Sequence, residues 1–394
     1  MTSTEDGEGV AAAVATPRVG SGTGSGAGTG AGTGAGVTAT ARATVATPDA
    51  RAGSAAPVGF GVRLADTFAA RGQLCVGVDP HDYLLDAWNL PRSAAGVREF
   101  GLRVVDAAAG WVGILKPQVA FYELYGAAGY AALEEVLAAG RAAGLLVIAD
   151  AKRGDIGTSA EAYGRAWLLP GSPLEADAVT LTAYAGVGSL TAVFDLAVGA
   201  GKGAFVLSAT SNPESFALQT ARVAVGGRGH GRTASADDGG TAGHPGGTGR
   251  HPGGTGRHPG GIGGHPGGIG GPPADDDLSL AGLVASEVST FNGSRRGDVA
   301  ALGNIGLVLG ATKNLLDYGI DRDQLAAAPS TPVLAPGFGF QGARFGDVRR
   351  VFGALTPSTV VAVSRSVLQS GPEGLVQSIR QQADELAEAL AAAA

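Results

Sequence analysis

The sequence predicts an α/β protein of the (β/α)8 barrel class. Three observations predict it: eight short apolar runs, Ala- and Leu-rich helical patterns between them, and polar residues directly after the runs. Continuous apolar strands that alternate with amphipathic helices indicate a parallel sheet covered by helices. Eight repeats favour closure into a barrel. An open doubly wound sheet is the alternative, and it is weaker because no GxGxxG motif follows the first run.

The apolar runs are five or six residues long, and each predicts one strand. The predicted strands lie at 74–79, 112–117, 145–150, 178–182, 203–208, 305–310, 332–336 and 359–364. Helices are predicted at 59–71, 94–109, 127–143, 159–168, 187–200, 278–292, 313–326, 342–352 and 372–391. This order indicates a single barrel domain over residues 56–394.

Two stretches have compositions that cannot form a core. Residues 1–55 are mostly Gly, Ala, Thr and Ser, and residues 224–277 contain four seven-residue units that begin HPGG. Because large apolar side chains are scarce there, we expect a disordered tail and a loop insertion. Five of the six histidines fall in the insertion. A metal site is the weaker alternative, since a Gly- and Pro-rich chain does not fix imidazoles in a ligand geometry.

Composition narrows the class of protein. The net charge of -7 and pI near 5.4 argue against a general nucleic-acid surface. No apolar segment approaches the roughly 18 residues of a membrane span, and no signal-peptide pattern is present, so we expect a soluble, cytoplasmic protein. Cys75 is the single cysteine, which excludes an intramolecular disulfide. It lies in an apolar run and is expected to be a buried packing residue.

Charged residues end three consecutive predicted strands. Asp79 follows the first strand, Lys116 lies in the second, and Asp150 and Lys152 end the third, with Asp155 one loop further on. Any one of these charges could be a salt-bridged support, but reactive groups of barrels lie at the carboxyl ends of strands. A lysine flanked by carboxylates stays protonated, so it is an acid and electrostatic anchor rather than a Schiff-base nucleophile. The pattern suits a reaction in which negative charge develops on carbon.

A second motif predicts a phosphate site. After the seventh run, APGFGFQGARFGD places Gly337, Gly339 and Gly342 before and at the start of a predicted helix. Glycines let the backbone approach an anion, and a helix N-terminus supplies free N–H groups. Arg365 follows the eighth run and can bind phosphate oxygens through two N–H groups. Loops after strands seven and eight form the common phosphate site of these barrels.

The chain resembles the orotidine 5'-phosphate decarboxylase family in its type 2, actinobacterial-like form. The resemblance covers about residues 59–223 and 278–390. It rests on CVGVDP, ILKPQ, FYELYG, VLSATSNP, LAPGFGFQG and VSRSVL, and on the DxKxxDI motif, present as Asp150, Lys152, Asp155 and Ile156. It implies a lyase that converts orotidine 5'-monophosphate to UMP and CO2 in de novo pyrimidine biosynthesis, with no cofactor and no metal.

The resemblance also implies roles for residues of the charged motif. Lys152 matches the proton donor to C6 of the pyrimidine, and Asp150 matches the residue that faces the departing carboxylate. Lys116 matches the second lysine, which holds Asp150 and the ribose. Asp155 and Ile156 match residues that reach into the active site of the partner subunit, which implies a homodimer.

Further positions are expected to contact the substrate. Asp79 matches a ribose ligand, Ser211 a pyrimidine contact, and Gln341 a bridge between base and phosphate. Arg365 matches the phosphate-binding arginine. The expected substrate-binding set also includes Ile156, Pro336, Gly339 and Ser159. Family members often have threonine where this chain has Ser159. Its hydroxyl remains, so we expect the contact to persist, and Thr158 is the alternative.

Two other functions compete with this interpretation. Keto-gulonate phosphate decarboxylases and hexulose phosphate synthases share DxKxxD, but they resemble metal enzymes with a glutamate after the second strand. Lys116 occupies that position here, and its charge would repel a cation. A non-catalytic scaffold is the third possibility, and the intact set of charges argues against it.

Overall fold

The computed structural model describes residues 57–223, 278–295 and 301–392. The tail predicted at 1–55 and the insertion predicted at 224–277 lie outside the described residues. Their disorder, the metal alternative for the insertion and the domain limits at 56 and 394 therefore stay predictions.

Eight parallel strands form a closed barrel, which confirms the predicted (β/α)8 class. Neighbouring strands in the barrel are also neighbours in the chain, and the last strand pairs with the first. The strands are β1 (Leu74–Val78), β2 (Ile114–Pro117), β3 (Leu146–Arg153), β4 (Ala178–Leu181), β5 (Gly203–Ala209), β6 (Ile305–Leu309), β7 (Val333–Ala335) and β8 (Thr359–Val363). A separate antiparallel pair, Arg222–Val223 with Leu278–Ser279, borders the insertion.

Helices surround the barrel and cover one of its ends. They are α1 (Phe60–Arg71), α2 (Asp82–Ala87), α3 (Ala94–Ala108), α4 (Ala120–Glu123), α5 (Gly126–Ala142), α6 (Gly157–Leu168), α7 (Thr191–Gly199), α8 (Phe216–Gln219), α9 (Leu280–Ser294), α10 (Arg322–Ala326), α11 (Val348–Phe352), α12 (Arg365–Leu368) and α13 (Gly371–Ala391). No helix in these described ranges is long and apolar enough to cross a membrane.

Three predicted helices are shorter than expected. The segment predicted at 187–200 begins with a 3-10 turn, Val187–Leu190, before α7. The segment at 313–326 divides into the 3-10 turn Leu315–Tyr318 and α10, because Gly319 between them has a left-handed backbone with φ +63°. The prediction at 342–352 was wrong at its start, since α11 begins at Val348.

Strand residues alternate between two cores, as the two-residue period of a strand requires. One set packs against the surrounding helices and includes Val76, Leu115 and Val147. The other set fills the barrel and includes Cys75, Ile114, Ile148, Ala178 and Phe205. Burial raises the pKa of the Cys75 thiol to about 12, which agrees with the predicted packing role.

The first helix closes the amino-terminal end of the barrel. Phe60 of α1 is fully buried, and its ring lies 5.9 Å from that of Phe205 at an interplanar angle of 86°. This edge-to-face pair and Leu64 belong to the interior core. The opposite, carboxyl-terminal end of the strands is therefore where a ligand can enter.

The two-residue period also places the polar residues of the barrel mouth. Lys116 lies two residues after Ile114 on β2, and Asp150 two residues after Ile148 on β3. Thr180 stands in the same relation to Ala178 on β4. These three polar side chains therefore continue the apolar interior rows toward the carboxyl end.

Candidate active site

The carboxylate of Asp150 is the centre of a hydrogen-bonded cluster at the barrel mouth. The Nζ of Lys116 lies 2.9 Å from its Oδ2, and the Nζ of Lys152 lies 2.7 Å from its Oδ1. The hydroxyl of Thr180 donates to Oδ1 at 2.9 Å. Lys152 also donates to Oε1 of Gln118 at 3.3 Å. The structure thus brings together the two lysines and the carboxylate that the sequence placed after neighbouring strands.

Burial and charge act in opposite directions on this cluster. Burial alone would lower the pKa of Lys116, but the carboxylates of Asp150 and Asp79 outweigh it and raise the pKa above its ordinary value. Burial would raise the pKa of Asp150, yet Lys116 and Lys152 hold that pKa well below its usual range. Lys116 and Asp150 are therefore an ion pair at neutral pH.

Lys152 differs from Lys116 in exposure and in backbone conformation. Its side chain is 45% exposed, compared with 10% for Lys116, so its ammonium group can reach a ligand. Its φ is +47°, in the left-handed region that lysine rarely adopts. Such backbone strain persists only where the surroundings hold it, and it is concentrated at functional sites.

A cavity of about 520 Å³ opens beside this cluster. Lys116, Asp150 and Lys152 form one side of it. The remaining walls combine hydroxyl and amide groups with apolar side chains: Thr182, Ser211, Asn212, Leu207, Val284, Val308, Leu334 and Pro336. Few polar groups in a mainly apolar cavity are typical of a site for a small organic ligand.

A smaller cavity of about 100 Å³ lies between the ends of β7, β8 and β1. Asp79, Gln341 and Arg365 line it, and Lys116 and Pro336 line both cavities. Among the described residues, Oδ1 of Asp79 is buried without a hydrogen-bond partner. Because buried polar atoms are normally paired, this carboxylate is a candidate ligand-binding group.

The glycine-rich loop after β7 folds back on itself. Gly337, Gly339 and Gly342 have φ values of +118°, +71° and +103°. The N–H of Gly339 donates to the carbonyl of Ala343 at 2.9 Å, which closes the loop. The left-handed turn at Gly342 explains why the predicted helix does not begin there. A Cβ at Gly339 would lie 2.8 Å from the Cβ of Ser366, so glycine is required by space as well.

Arg365 is the first residue of α12 and borders the smaller cavity. Its guanidinium carbon lies 3.7 Å from the centroid of the Phe340 ring. Planar guanidinium groups stack on aromatic faces, and such stacking restricts their orientation. The glycine-rich loop therefore supplies the Phe340 ring on which the Arg365 guanidinium stacks, and its backbone lies beside that guanidinium.

The loop between β3 and α6 contributes to neither cavity. The Oδ1 of Asp155 accepts from the N–H of Ile156 at 2.8 Å, and the Ile156 side chain is 63% exposed. Thr158 and Ser159 are exposed in the first turn of α6. The structure places Ser211, Pro336 and Gln341 at the cavities, whereas these four residues lie outside, as does Gly339.

Thr180 and Gln118 were missed at the sequence level, although both belong to the Asp150 cluster. A signal for them existed. Gln118 follows Lys116 by two residues and Thr180 follows Ala178 by two, so the strand period puts both on the interior side. Only the structure shows that they touch Asp150 and Lys152.

Comparisons with known proteins agree with this geometry. Residues 72–239 match the model of the orotidine 5'-phosphate decarboxylase / HUMPS family. An orotidine 5'-phosphate decarboxylase of Salinispora arenicola is 39% identical over 327 residues, which are 83% of this chain and 95% of that protein. The enzyme of Streptomyces coelicolor is 38% identical over 331 residues, with the same two coverages.

Solved structures show the same similarity. A Streptomyces avermitilis protein assigned as orotidine 5'-phosphate decarboxylase is 34% identical, with a TM-score of 0.67, and the match covers 87% of this chain and 100% of that one. The Leishmania donovani OMP decarboxylase is 25% identical, with a TM-score of 0.56 and coverages of 84% and 99%. With relatives this similar over nearly their whole length, the chain belongs to the orotidine 5'-phosphate decarboxylase family.

Proposed function

We propose that this chain is a carboxy-lyase that converts orotidine 5'-monophosphate to UMP and CO2 in pyrimidine biosynthesis, with no cofactor and no metal. The observation that carries the proposal is the Lys116–Asp150–Lys152 cluster, which borders a cavity of about 520 Å³. Relatives about 39% identical over 95% of their length bear the name of this activity.

The two cavities provide separate places for the two ends of the nucleotide. The pyrimidine occupies the larger cavity, with Ser211 at its polar edge. The phosphate lies beside Arg365 and Gln341 at the smaller cavity, with Gly339 in the loop that supports it. The ribose lies between them, where Lys116 and Pro336 line both cavities and Asp79 presents its buried, unpaired Oδ1.

The charge arrangement favours loss of CO2 from C6 of the ring. The bond between C6 and the carboxylate carbon breaks, its electron pair stays on C6, and CO2 leaves. The fixed ammonium group of Lys152 stabilises the developing negative charge without reorganisation of solvent. Lys152 then donates a proton to C6 and recovers one from water.

Asp150 contributes through its fixed negative charge. The two lysines keep its pKa well below the usual range despite its burial, so it stays ionised when the substrate carboxylate lies nearby. Repulsion between the two carboxylates is relieved when neutral CO2 forms. Asp150 also holds Lys152 at 2.7 Å, which orients the proton donor.

The phosphate end supplies binding energy remote from the reacting carbon. Arg365 stacked on Phe340 has a restricted guanidinium that can form two parallel hydrogen bonds to phosphate oxygens. Such remote binding energy can hold the ring carboxylate against Asp150, which is unfavourable in isolation.

The active enzyme in this proposal is a homodimer. Asp155 and Ile156 lie outside their own chain's cavities, and Ile156 is 63% exposed. Leu124 and Tyr184, in loops after β2 and β4, are 68% and 88% exposed, so the same side of the mouth carries further uncovered apolar area. In the dimer, Asp155, Ile156 and Ser159 or Thr158 of one subunit complete the site of the other.

Mixing two inactive variants tests the dimer. A hybrid of Lys152→Ala and Asp155→Ala chains has one site with both residues intact, because each site takes Lys152 from one chain and Asp155 from the other. Random exchange of subunits should restore about one quarter of wild-type turnover. No recovery after demonstrated exchange would contradict the shared site.

The turnover assay tests the proposed function itself. With purified protein, the absorbance of orotidine 5'-monophosphate should decrease with time as the substrate is consumed. The rate of this decrease should be the same before and after treatment of the protein with a chelator. Lack of turnover by folded dimer, or activity that disappears on chelation and returns with a divalent metal, would overturn the proposal.

The charge of Lys116 is evidence against the function of the metal-dependent relatives, since its raised pKa keeps a positive charge where they need an anionic ligand. The cytoplasmic location stays a prediction.

A further inference from the structure

Thr180 is the polar residue of β4 that connects the two charged residues of β3. Its side chain is buried, with 1% exposure. The hydroxyl donates to Oδ1 of Asp150 at 2.9 Å. The hydroxyl oxygen of Thr180, Oγ1, also accepts the backbone N–H of Lys152 at 2.9 Å. One hydroxyl group therefore uses its donor and an acceptor lone pair on two neighbouring site residues.

The contact with Lys152 is made where the backbone is strained. At φ +47° a lysine backbone is less stable than in the usual regions. Strand β3 is also irregular here, since its register with β4 shifts between Ala149 and Arg153. The hydrogen bond to Thr180 anchors the amide of Lys152 in this conformation, and the ammonium group then reaches Oδ1 of Asp150 and Gln118.

Packing alone does not call for a hydroxyl at this position. The interior position below Thr180 on the same strand is Ala178, which lies level with Ile148 of β3. Level with Thr180 itself on β5 is Phe205, and all three residues are apolar. Valine has nearly the shape of threonine and would fill the same space, but it would leave the amide of Lys152 and one lone pair of Asp150 without this partner.

We propose that Thr180 is a positioning residue for decarboxylation, which sets the Lys152 ammonium and the Asp150 carboxylate against the reacting carbon. This inference rests on the proposed function. Thr180 acts through Lys152 and Asp150 and does not itself donate the proton. Its loss should therefore slow the chemical step and leave nucleotide binding at the Arg365 end intact.

The decisive variant is Thr180→Val. We expect kcat to fall by about 10- to 100-fold, because displacement of a catalytic group by about 1 Å costs that much in rate. KM and the dissociation constant of the product UMP should change by less than about threefold, since uniform binding is retained. A crystal structure of this variant should show Lys152 out of the left-handed region.

Two further variants control for ordinary effects on packing. Thr180→Ser keeps the hydroxyl and should restore kcat to within about threefold of wild type, because the same two hydrogen bonds can form. Thr359→Val makes the same change at a buried threonine at the other end of the barrel, where the hydroxyl donates to the Leu355 carbonyl at 2.8 Å. It should leave kcat unchanged.

The outcomes separate this inference from the proposed function. Turnover by wild-type protein establishes the function first, and its absence would sink that proposal alone. Wild-type kcat in folded Thr180→Val would overturn the positioning role, as would an equal loss in Thr359→Val or a failure of Thr180→Ser to recover. If Thr180→Val does not fold, Thr180→Ala provides the same test, with loss of kcat expected and wild-type kcat contradicting the role.

Discussion

The barrel has a charged cluster at each end, and the two clusters differ in whether their charged groups are accessible to a ligand. At the amino-terminal end, Asp177 accepts from Arg63 at 2.6 Å and from the N–H of Val147 at 3.0 Å. Lys202 lies 2.8 Å from Glu175 and 3.6 Å from Asp177. The side chains of Asp177 and Lys202 are at least as buried as those of Lys116 and Asp150 at the mouth.

The comparison shows that buried charge alone does not mark an active site. The amino-terminal cluster is tied to the backbone through Val147, Gly171 and Gly201. The mouth cluster instead borders the cavity of about 520 Å³ and contains Lys152, whose backbone is strained and whose side chain is 45% exposed. We infer that the first cluster stabilises the fold and the second performs the chemistry.

The largest effect is expected at the mouth. Lys152→Ala should lower kcat by more than about 10⁴-fold, because it removes both the general acid and the positive charge beside C6. Its unfolding free energy should change by less than about 1 kcal/mol, since the side chain is 45% exposed. Steady-state kinetics and urea unfolding on the same preparation check both values. Near-normal turnover would refute the assignment.

Arg365→Ala should have the next largest effect, on substrate affinity. Losing two charge-assisted hydrogen bonds should raise KM by about 100-fold, and kcat falls as well if phosphate binding holds the ring in place. Arg344→Ala, at an exposed arginine of the neighbouring glycine-rich loop after β7, is the matched control and should leave KM unchanged. Equal KM for the two variants would place the phosphate elsewhere.

At the amino-terminal end the expected effect is on stability. Lys202→Met should lower the unfolding free energy by about 3 kcal/mol, the lower end for a broken buried ion pair, because Arg63 still pairs with Asp177. Urea unfolding measures this loss. A stability equal to wild type would show that the cluster contributes nothing net to the fold.

A smaller effect should be visible in acid. Burial would raise the pKa of Glu175, but Lys202, the Gly171 N–H and Arg141 outweigh it, and its pKa lies below the ordinary 4.5. The folded protein then binds fewer protons than the unfolded chain, so stability is present above pH 4.5 and is lost as the pH falls below it. In Glu175→Gln, the loss of unfolding free energy on acidification should be smaller than in wild type, by less than about 1 kcal/mol. An unchanged pH slope between pH 7 and about pH 3.5 would contradict it.

Most of the barrel could be predicted from the sequence, because its strands are continuous apolar runs and its long helices have a clear period. The errors fall where local backbone chemistry decides. Gly342 and Gly319 take left-handed conformations that end turns early, and the short helices α2, α4, α8 and α12 have too few residues for a period to show.

The charged residues of the site could also be predicted, since Lys116, Asp150 and Lys152 interrupt or end apolar strands. For Thr180 the strand period predicts an interior position, but its contacts with Asp150 and Lys152 of β3 could not be predicted from the sequence. The stack of Phe340 on Arg365 likewise joins two loops that are separate in the chain. Such contacts depend on how neighbouring strands are aligned and how loops fold back on each other, and amino-acid composition does not specify either.

The two ends of the barrel have different tasks in this enzyme, and one paired measurement on two variants distinguishes them. Turnover of orotidine 5'-monophosphate and unfolding free energy are measured for Lys152→Ala and Lys202→Met beside wild type. We expect Lys152→Ala to be stable and inactive, whereas Lys202→Met should be less stable but keep wild-type kcat at a temperature where it is folded. Turnover retained in Lys152→Ala, or abolished in folded Lys202→Met, would contradict this expectation.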